Sequence, residues 1–353
     1  MRRFLISALV LGTILSSFPP PAAALPRPSK TIPIICSGPG CLRLITLLGA
    51  QDQVVGVDTM ESRRHHFDAR PYALATPRFK TLPIFGEFRG RDLPEKILGL
   101  SPRPKLIFKT HPQSGMAPDI LEQKTRIPVV VMGSTFMGPN DFFQGLIRGG
   151  KCLDREERAR ALIDFFQGQV AELARRTQGL DAPPCFVGGI AMSGAHGFLS
   201  TEPCYPPLTL VNGHNIARTR GTCPGQGIFS KEAILKADPP ILFVDLATLK
   251  LGQRANGVEQ LKRDPVLCHL SAVKAGRVYG LLPYNWYAQN QGSLLANAWF
   301  MGSILHPGAF KDIDPAQTAD EIYEFLFGQS LFEKMNAAFE HRAFRALDMG
   351  GHP

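Results

Sequence analysis

The feature that most constrains this fold is one long helix in mid-chain with short strands on both sides of it. Between 154 and 178, Ala159, Leu162, Ile163, Phe166, Val170, Leu173, Ala174 and Thr177 recur at three- and four-residue spacing while charged residues fill the gaps. The spacing predicts one amphipathic helix of about 25 residues, roughly 37 Å long at 1.5 Å per residue. Short β-branched and aromatic runs precede it: TIPIIC (31–36), QVVGVD (53–58), LPIFG (82–86), KLIFK (105–109) and PVVVM (128–132). Others follow it: CFVGGIA (185–191), LTLV (208–211), PILFVDL (240–246) and GRVYGLL (276–282). Runs of this kind read as buried strands of parallel sheets, and a helix that long can bridge two lobes.

The two halves echo each other. Glu95-Lys96-Ile97-Leu98 stands three residues before Pro102 and the strand KLIF, and Glu232-Ala233-Ile234-Leu235 stands three residues before Pro239 and the strand ILFV. The physical reading is a short helix docked before a parallel strand, made twice.

Arg2 and Arg3 lead into the apolar run FLISALVLGTIL, and Ala22-Ala23-Ala24 supplies small residues for cleavage, which predicts an export signal over 1–24. That run is too short to span a bilayer, so the expected product is exported and soluble. No cysteine sits at the cleavage point, so no lipid anchor is expected. Cleavage leaves 329 residues and lowers the net charge from +9 to +7, with basic residues scattered along the chain. Scattered charge argues against a nucleic-acid stripe. The predicted organisation is α/β: a signal over 1–24, a lobe over 25–152, a bridging helix over 153–179 and a second lobe over 180–353 with closing helices.

Seven cysteines in an oxidising compartment predict disulfides, and the odd count leaves at least one thiol. Cys204 and Cys223 flank loop-like sequence and can pair; Cys36 and Cys41 are close enough to pair or to be free; Cys185 reads as a buried small hydrophobe. Motifs for catalysis fail one by one. GLIRGGKC (145–152) has a cysteine where a P-loop needs Ser or Thr, and it follows DFFQ, which reads as helix rather than strand. AMSGA around Ser193 lacks a nucleophile elbow's first glycine, and no zinc-binding His pair has helical spacing.

In open parallel sheets, ligands meet the loops that follow the carboxyl ends of strands. Those loops hold Ser37 and Gly38 after the first strand, Glu61 to His66 (with Arg63, His65 and His66) after the second, and Glu87 and Arg89 after LPIFG. They also hold Lys109 and His111 after KLIF, Ser193 to Phe198 (with His196), and YNWYAQNQGS (284–293) after the last strand. That last stretch sets Tyr284, Trp286 and Tyr287 within four positions, at the entrance to a predicted helix, LLANAWFMGSIL. Arg63, Arg89 and Lys109 suit an anionic ligand, and the rings supply rigid contact area.

Taken in order, ICSGPGCLRLITLLGAQDQVVGVD, LPEKILGLSPRPKLIF, the bridging helix, FSKEAILKADPPILFVD, LKRDPVLCHLSAVKAGRVYGLLPYNWY and DIDPAQTADEIYEFLFG resemble the periplasmic substrate-binding proteins of the iron-chelate and vitamin B12 class of ABC importers. The first and last resemble most the iron branch. The resemblance implies two α/β lobes joined by a rigid helix, a ligand cleft between them, and a monomer that is not an enzyme. It implies a permease with its cytoplasmic ATPase as partner, docked through Glu95 and Glu232. No resident cofactor is implied; the cargo is an iron chelate or ferric ion, with cobalamin, haem or an oxyanion such as molybdate as alternatives. For a bare ion, Glu61, Glu87, His65, His66, His111, His196 and Tyr284 are the candidate donors. An exported hydrolase using Ser193 and His196 is the alternative of another class. The family commonly opens with a hairpin, for which LPRPSK (25–30) leaves little room.

Overall fold

The computed structural model describes residues 31–62, 68–137, 142–191, 194, 196–219, 223, 225–249 and 256–350. Its strands are β1 (Ile34–Ser37), β2 (Val54–Asp58), β3 (Ile84–Glu87), β4 (Arg91–Asp92), β5 (Leu106–Lys109) and β6 (Val129–Val131), then β7 (Pro184–Gly188), β8 (Ser200–Thr201), β9 (His214–Asn215), β10 (Gly227–Ile228), β11 (Ile241–Asp245) and β12 (Val278–Leu281). The first six form one sheet in the order β4-β3-β2-β1-β5-β6, parallel except for the β3–β4 hairpin. A second sheet runs β12-β11-β7-β9, all parallel, and β8 and β10 pair as a small antiparallel ribbon.

β1 and β5 are buried on both faces, which is why each reads as an unbroken, mostly apolar run. Ile34 and Cys36 face the main core while Ile35 faces a second cluster with Phe85, Ile97, Leu100, Ile107, Leu121 and Ile127. β5 divides the same way, Leu106 and Phe108 to one side and Ile107 to the other.

The internal echo is a structural repeat. The order β2-β1-β5-β6 in the first sheet has its counterpart in β9-β7-β11-β12 in the second. The helix Pro94–Leu98 leads toward β5 and the helix Lys231–Ala237 toward β11, with Ile97 and Ile234 both fully buried and Glu95 and Glu232 exposed in the first turn.

The helix between the lobes spans Glu156–Thr177, 22 residues, about 33 Å. It is shorter than the pattern suggested because 153–155 turn between it and the preceding helix, Phe142–Cys152. Both ends are tied sideways. Arg158 Nε donates to Leu47 O at 3.0 Å and its Nη2 to Phe325 O at 2.6 Å; Arg176 forms a bidentate pair with Asp312 at 2.7 and 2.8 Å. A helix so clamped restrains the hinge between the lobes.

One local expectation changes. LTLV is helical (Pro206–Leu210), not a strand, because Pro206 and Pro207 preset helical φ at its start. GLIRGGKC lies inside Phe142–Cys152, so it presents no phosphate loop. Cys204 and Cys223 form a disulfide, and Cys185 is fully buried. The predicted signal and LPRPSK lie outside the described residues. No helix of the described residues is long and apolar enough to cross a membrane.

Candidate functional site at the seam between the lobes

The carboxyl ends of both parallel sheets face one another, and the loops after β1, β5, β6 and β12 meet there. Glycines allow the first loop its path. Gly38 has φ +89°, and a Cβ on it would lie 2.4 Å from Thr110 O. Gly40, at φ +78°, starts the helix Cys41–Leu47, and a Cβ there would lie 3.2 Å from Ala288 Cβ of the other lobe. Thr110 holds the loop through Pro39 O at 2.7 Å and Ser37 O at 3.0 Å.

The loop after β12 crosses to the first lobe and is stapled there. Arg43 Nη1 donates to Gln289 O at 2.6 Å and Nη2 to Tyr287 O at 3.2 Å. Tyr287 Oη donates to Asp58 Oδ2 at 2.5 Å and accepts from Arg89 N at 3.1 Å. Phe136 N donates to Gln289 Oε1 at 2.7 Å, and Gln291 Nε2 to Ser134 O at 3.0 Å. Asn285 Nδ2 anchors the other end to Ala191 O at 3.0 Å. Tyr287 and Ala288 take left-handed φ of 50° and 68°, a conformation that costs free energy and that these cross-lobe bonds hold. Burial lowers the Arg43 guanidinium to about 10. Burial also raises the Asp58 carboxyl, against the hydrogen bonds from Tyr287 and Met60.

Several residues read from the sequence as ligand contacts have other duties. Lys109 is fully buried; its Nζ donates to Asp92 Oδ2 at 2.7 Å, Ser37 Oγ at 2.9 Å and Gly90 O at 3.4 Å. All three of its protons are used, so Lys109 and Ser37 brace the first sheet instead of offering charge and hydroxyl to a ligand. Tyr284 is buried, bonded to Glu202 Oε2 and packed edge-on against Tyr205. Glu61 is buried against Arg70 at 2.7 Å and Tyr72 at 2.7 Å. Glu87 lies exposed on the β3–β4 hairpin beside Arg91, 3.6 Å away. Of these five, Lys109, Ser37, Tyr284 and Glu61 turn into the protein, because a strand-end side chain can point under the sheet as readily as out of it, while Glu87 stays at the surface.

Others do reach the seam. Arg89 is exposed at φ 64°, its guanidinium 5.2 Å from the Phe88 ring centre. His111, at φ 49°, is half-buried with Nε2 3.3 Å from Ser134 Oγ, and burial lowers its pKa, which favours the neutral imidazole. Trp286 is half-buried against the core and His196 is exposed. Arg63, His65, His66 and Ser193 lie outside the described residues. Among the described residues, no three His, Cys, Asp or Glu side chains gather as a metal site.

Arg43, Asp58 and Ser134 escape sequence reading, whereas Gln289 and Gln291 fall within the 284–293 loop it picked out. Asp58 alone had a signal, an acid closing a strand at a sheet's carboxyl end. Arg43 looks like the polar face of a helix. Beneath the second-lobe half lies Asp245, at the end of β11. It is fully buried, Oδ1 accepting from Ala247 N at 2.8 Å and Oδ2 without a partner among the described residues. Burial, with nearby Glu202 adding to it, pushes its carboxyl to about 7 against the Ala247 hydrogen bond.

Two parallel-sheet lobes facing across a seam and tied by one clamped helix define a solute-binding protein of the class that has a rigid helical backbone. The chain belongs to the periplasmic binding protein family, which matches residues 34–284. Solved structures share the fold at low identity. A periplasmic solute binding protein from Veillonella parvula is 18% identical with a TM-score of 0.67, covering 89% of this chain and 94% of its own. The molybdate-bound periplasmic protein MolA of Haemophilus influenzae is 18% identical with a TM-score of 0.61, over 86% and 94%. The periplasmic heme binding protein HutB of Vibrio cholerae is 21% identical with a TM-score of 0.54, over 79% and 100%. No curated protein sequence matches the chain. The family's members serve ABC importers as substrate-binding components outside the cytoplasm, and this chain is one of them.

Proposed function

We propose that this protein captures an iron chelate at the seam between its lobes and delivers it to an ABC permease through Glu95 and Glu232. The observation that carries the reading is the convergence of both sheets' carboxyl ends, where Arg89, His111, Trp286 and the 37–40 loop stand together. The choice of iron rests on the sequence resemblance to the iron branch. The choice of a chelate over a bare ferric ion rests on how the candidate donors are used: Glu61, Glu87 and Tyr284 are each engaged with protein partners. A chelate brings its own donors and needs from the protein only shape, charge balance and ring contact. Arg89 supplies positive charge, Trp286 and Phe88 supply area, and the clamped helix keeps the site largely pre-formed. The molybdate and heme named for two solved relatives are the competing cargoes.

The two docking glutamates support the reading by position. They occupy equivalent corners of a duplicated unit, each exposed at the first turn of a short helix, as a permease with two-fold character requires. Thermal unfolding of the exported protein with a ferric catecholate chelate, ferric ion, haem, cobalamin and molybdate tests the cargo. Ligand at 100 times its Kd adds about 2.7 kcal/mol, roughly 4 °C for a chain this long. A shift with molybdate, haem or cobalamin and none with the ferric chelate would overturn the iron reading.

A further inference from the structure

The segment that crosses the seam is a strap whose foot and tip are held by different lobes. The foot belongs to the second lobe. Asn290 N donates to Tyr284 O at 2.5 Å and Asn290 Nδ2 to Trp286 O at 3.3 Å, which closes 285–289 into a compact loop, and Asn285 Nδ2 holds Ala191 O at 3.0 Å. The tip, Tyr287 to Gln289, makes five hydrogen bonds to the first lobe. They reach the first helix through Arg43, the end of β2 through Asp58, the β3–β4 turn through Arg89 N and the loop after β6 through Phe136 N. The same tip lies on two walls of the ligand site. Tyr287 Oη rests on the Arg89 turn, and Ala288 faces the 37–40 loop, where a Cβ on Gly40 would come within 3.2 Å of its own. A ligand that touches both Arg89 and the 37–40 loop has to displace this tip. The lobes have little freedom to part instead. Arg158 and the Arg176–Asp312 pair clamp the helix between them, and Gln291 Nε2 bridges from the foot to Ser134 O at 3.0 Å.

We propose that 286–289 is a latch: its tip lets go of Arg43, Asp58, Arg89 and Phe136 as one unit to admit ligand to the seam, while its foot and both lobes stay in place. The gate rests on the seam being the ligand site; the opening of the latch does not depend on which cargo is taken. Three features make the tip release as a unit. Tyr287 and Ala288 both hold left-handed φ, so release of the tip returns the free energy stored there. Arg43 makes two of the five bonds and the Tyr287 hydroxyl two more, so the loss of either group removes a pair at once. Tyr287 and Gln289 are separated by one residue, and neither leaves its partners without pulling on the other. Only the open fraction of the protein admits ligand, and apparent affinity is the intrinsic affinity scaled by that fraction. Loosening the latch therefore speeds and strengthens binding.

Hydrogen exchange reads the latch with no ligand present. The amides of Arg89 and Phe136 stand in different first-lobe loops, and each donates to a side chain of the tip. Arg43→Met touches neither amide. It removes the bonds to Tyr287 O and Gln289 O and keeps a long side chain beside the Tyr72 ring. Both amides are expected to exchange faster in this variant, by about threefold or more, while the Asn290 amide at the foot and the amides of β5 do not change. Unchanged rates at Arg89 and Phe136 would overturn the latch. So would a rise that spreads to Asn290 and β5, since the first lobe would then be loosening as a whole. Tyr287→Phe keeps the ring and gives the same reading should Arg43→Met fail to fold: the Phe136 amide, bonded to Gln289 and not to Tyr287, should quicken likewise. The gate is tested by stopped-flow quenching of tryptophan fluorescence with a ferric catecholate chelate, whose association with Tyr287→Phe should be about threefold faster than with the wild type or more. Quickened amides with an unchanged association rate would overturn the gate. A chelate that binds neither protein would overturn the cargo reading, and exchange alone would then decide the latch.

Discussion

Replacing Lys109 separates a brace from a ligand contact. In Lys109→Met the Asp92 carboxylate stays buried, 1% exposed, without its 2.7 Å partner, and Ser37 Oγ loses its donor as well. Removing one member of a buried ion pair costs about 3–5 kcal/mol, because the remaining charge is neither hydrated nor paired. Unfolding entropy of roughly 2.1 cal/mol/K per residue, summed over the whole chain, gives about 0.7 kcal/mol/K, so melting should fall by about 4–7 °C. If the first lobe melts alone, the fall is larger. The double variant Lys109→Met, Asp92→Leu removes both charges and should recover most of the loss. Calorimetry of the three proteins, with ligand affinity measured on each, is the assay. A Lys109→Met protein that melts within about 1 °C of the wild type but no longer binds ligand would refute the assignment, since the charge would then face the ligand.

Two further outcomes follow from the same geometry. An aspartyl carboxyl ionises near 3.8 in the unfolded chain and Asp245 near 7 in the fold, so between those pH values only the unfolded chain releases the proton. The stabilising effect of this tight proton is present below 3.8 and lost as pH rises through 7. Asp245→Asn should therefore match the wild type at pH 4 and exceed it above pH 7 by up to roughly 4 kcal/mol; a variant weaker than wild type at pH 8, by denaturant titration, would mean that a partner holds the ionised form. Replacing Glu95 and Glu232 together by alanine should abolish uptake in reconstituted vesicles while leaving ligand affinity within twofold, and a loss of affinity would place them at the ligand instead.

The duplication shows how far a sequence pattern reaches. Ile97 and Ile234 drop into the core just ahead of β5 and β11, and that burial obliges the glutamates two positions earlier, Glu95 and Glu232, to face outward. Local spacing carried this information, so it could be read directly. The seam could not be read that way. Tyr284 and Tyr287 stand three residues apart in one motif with the same apparent chemistry, yet one is sealed against Glu202 in its own lobe and the other reaches Asp58 in the other. Their difference lies in the left-handed turn at Tyr287 and Ala288, which no composition rule assigns to those residue types. Lys109 misled for a related reason: a cation at a strand end reads as a ligand contact, and only its three acceptors, drawn from β4, the loop before it and β1, reveal a brace.

By itself the sequence determined the α/β class, the strands of both sheets apart from the short edge pairs, the helix between them and the repeated corner that presents a carboxylate. Each of these follows from side-chain periodicity along a continuous stretch, where hydrophobic burial acts residue by residue. Tertiary structure alone decided which polar groups face the seam. Those groups are paired across distances of 150 to 250 positions, as Arg43 is with Gln289 and Gln291 with Ser134, and in a buried seam each polar atom must find a partner wherever the fold brings one within reach.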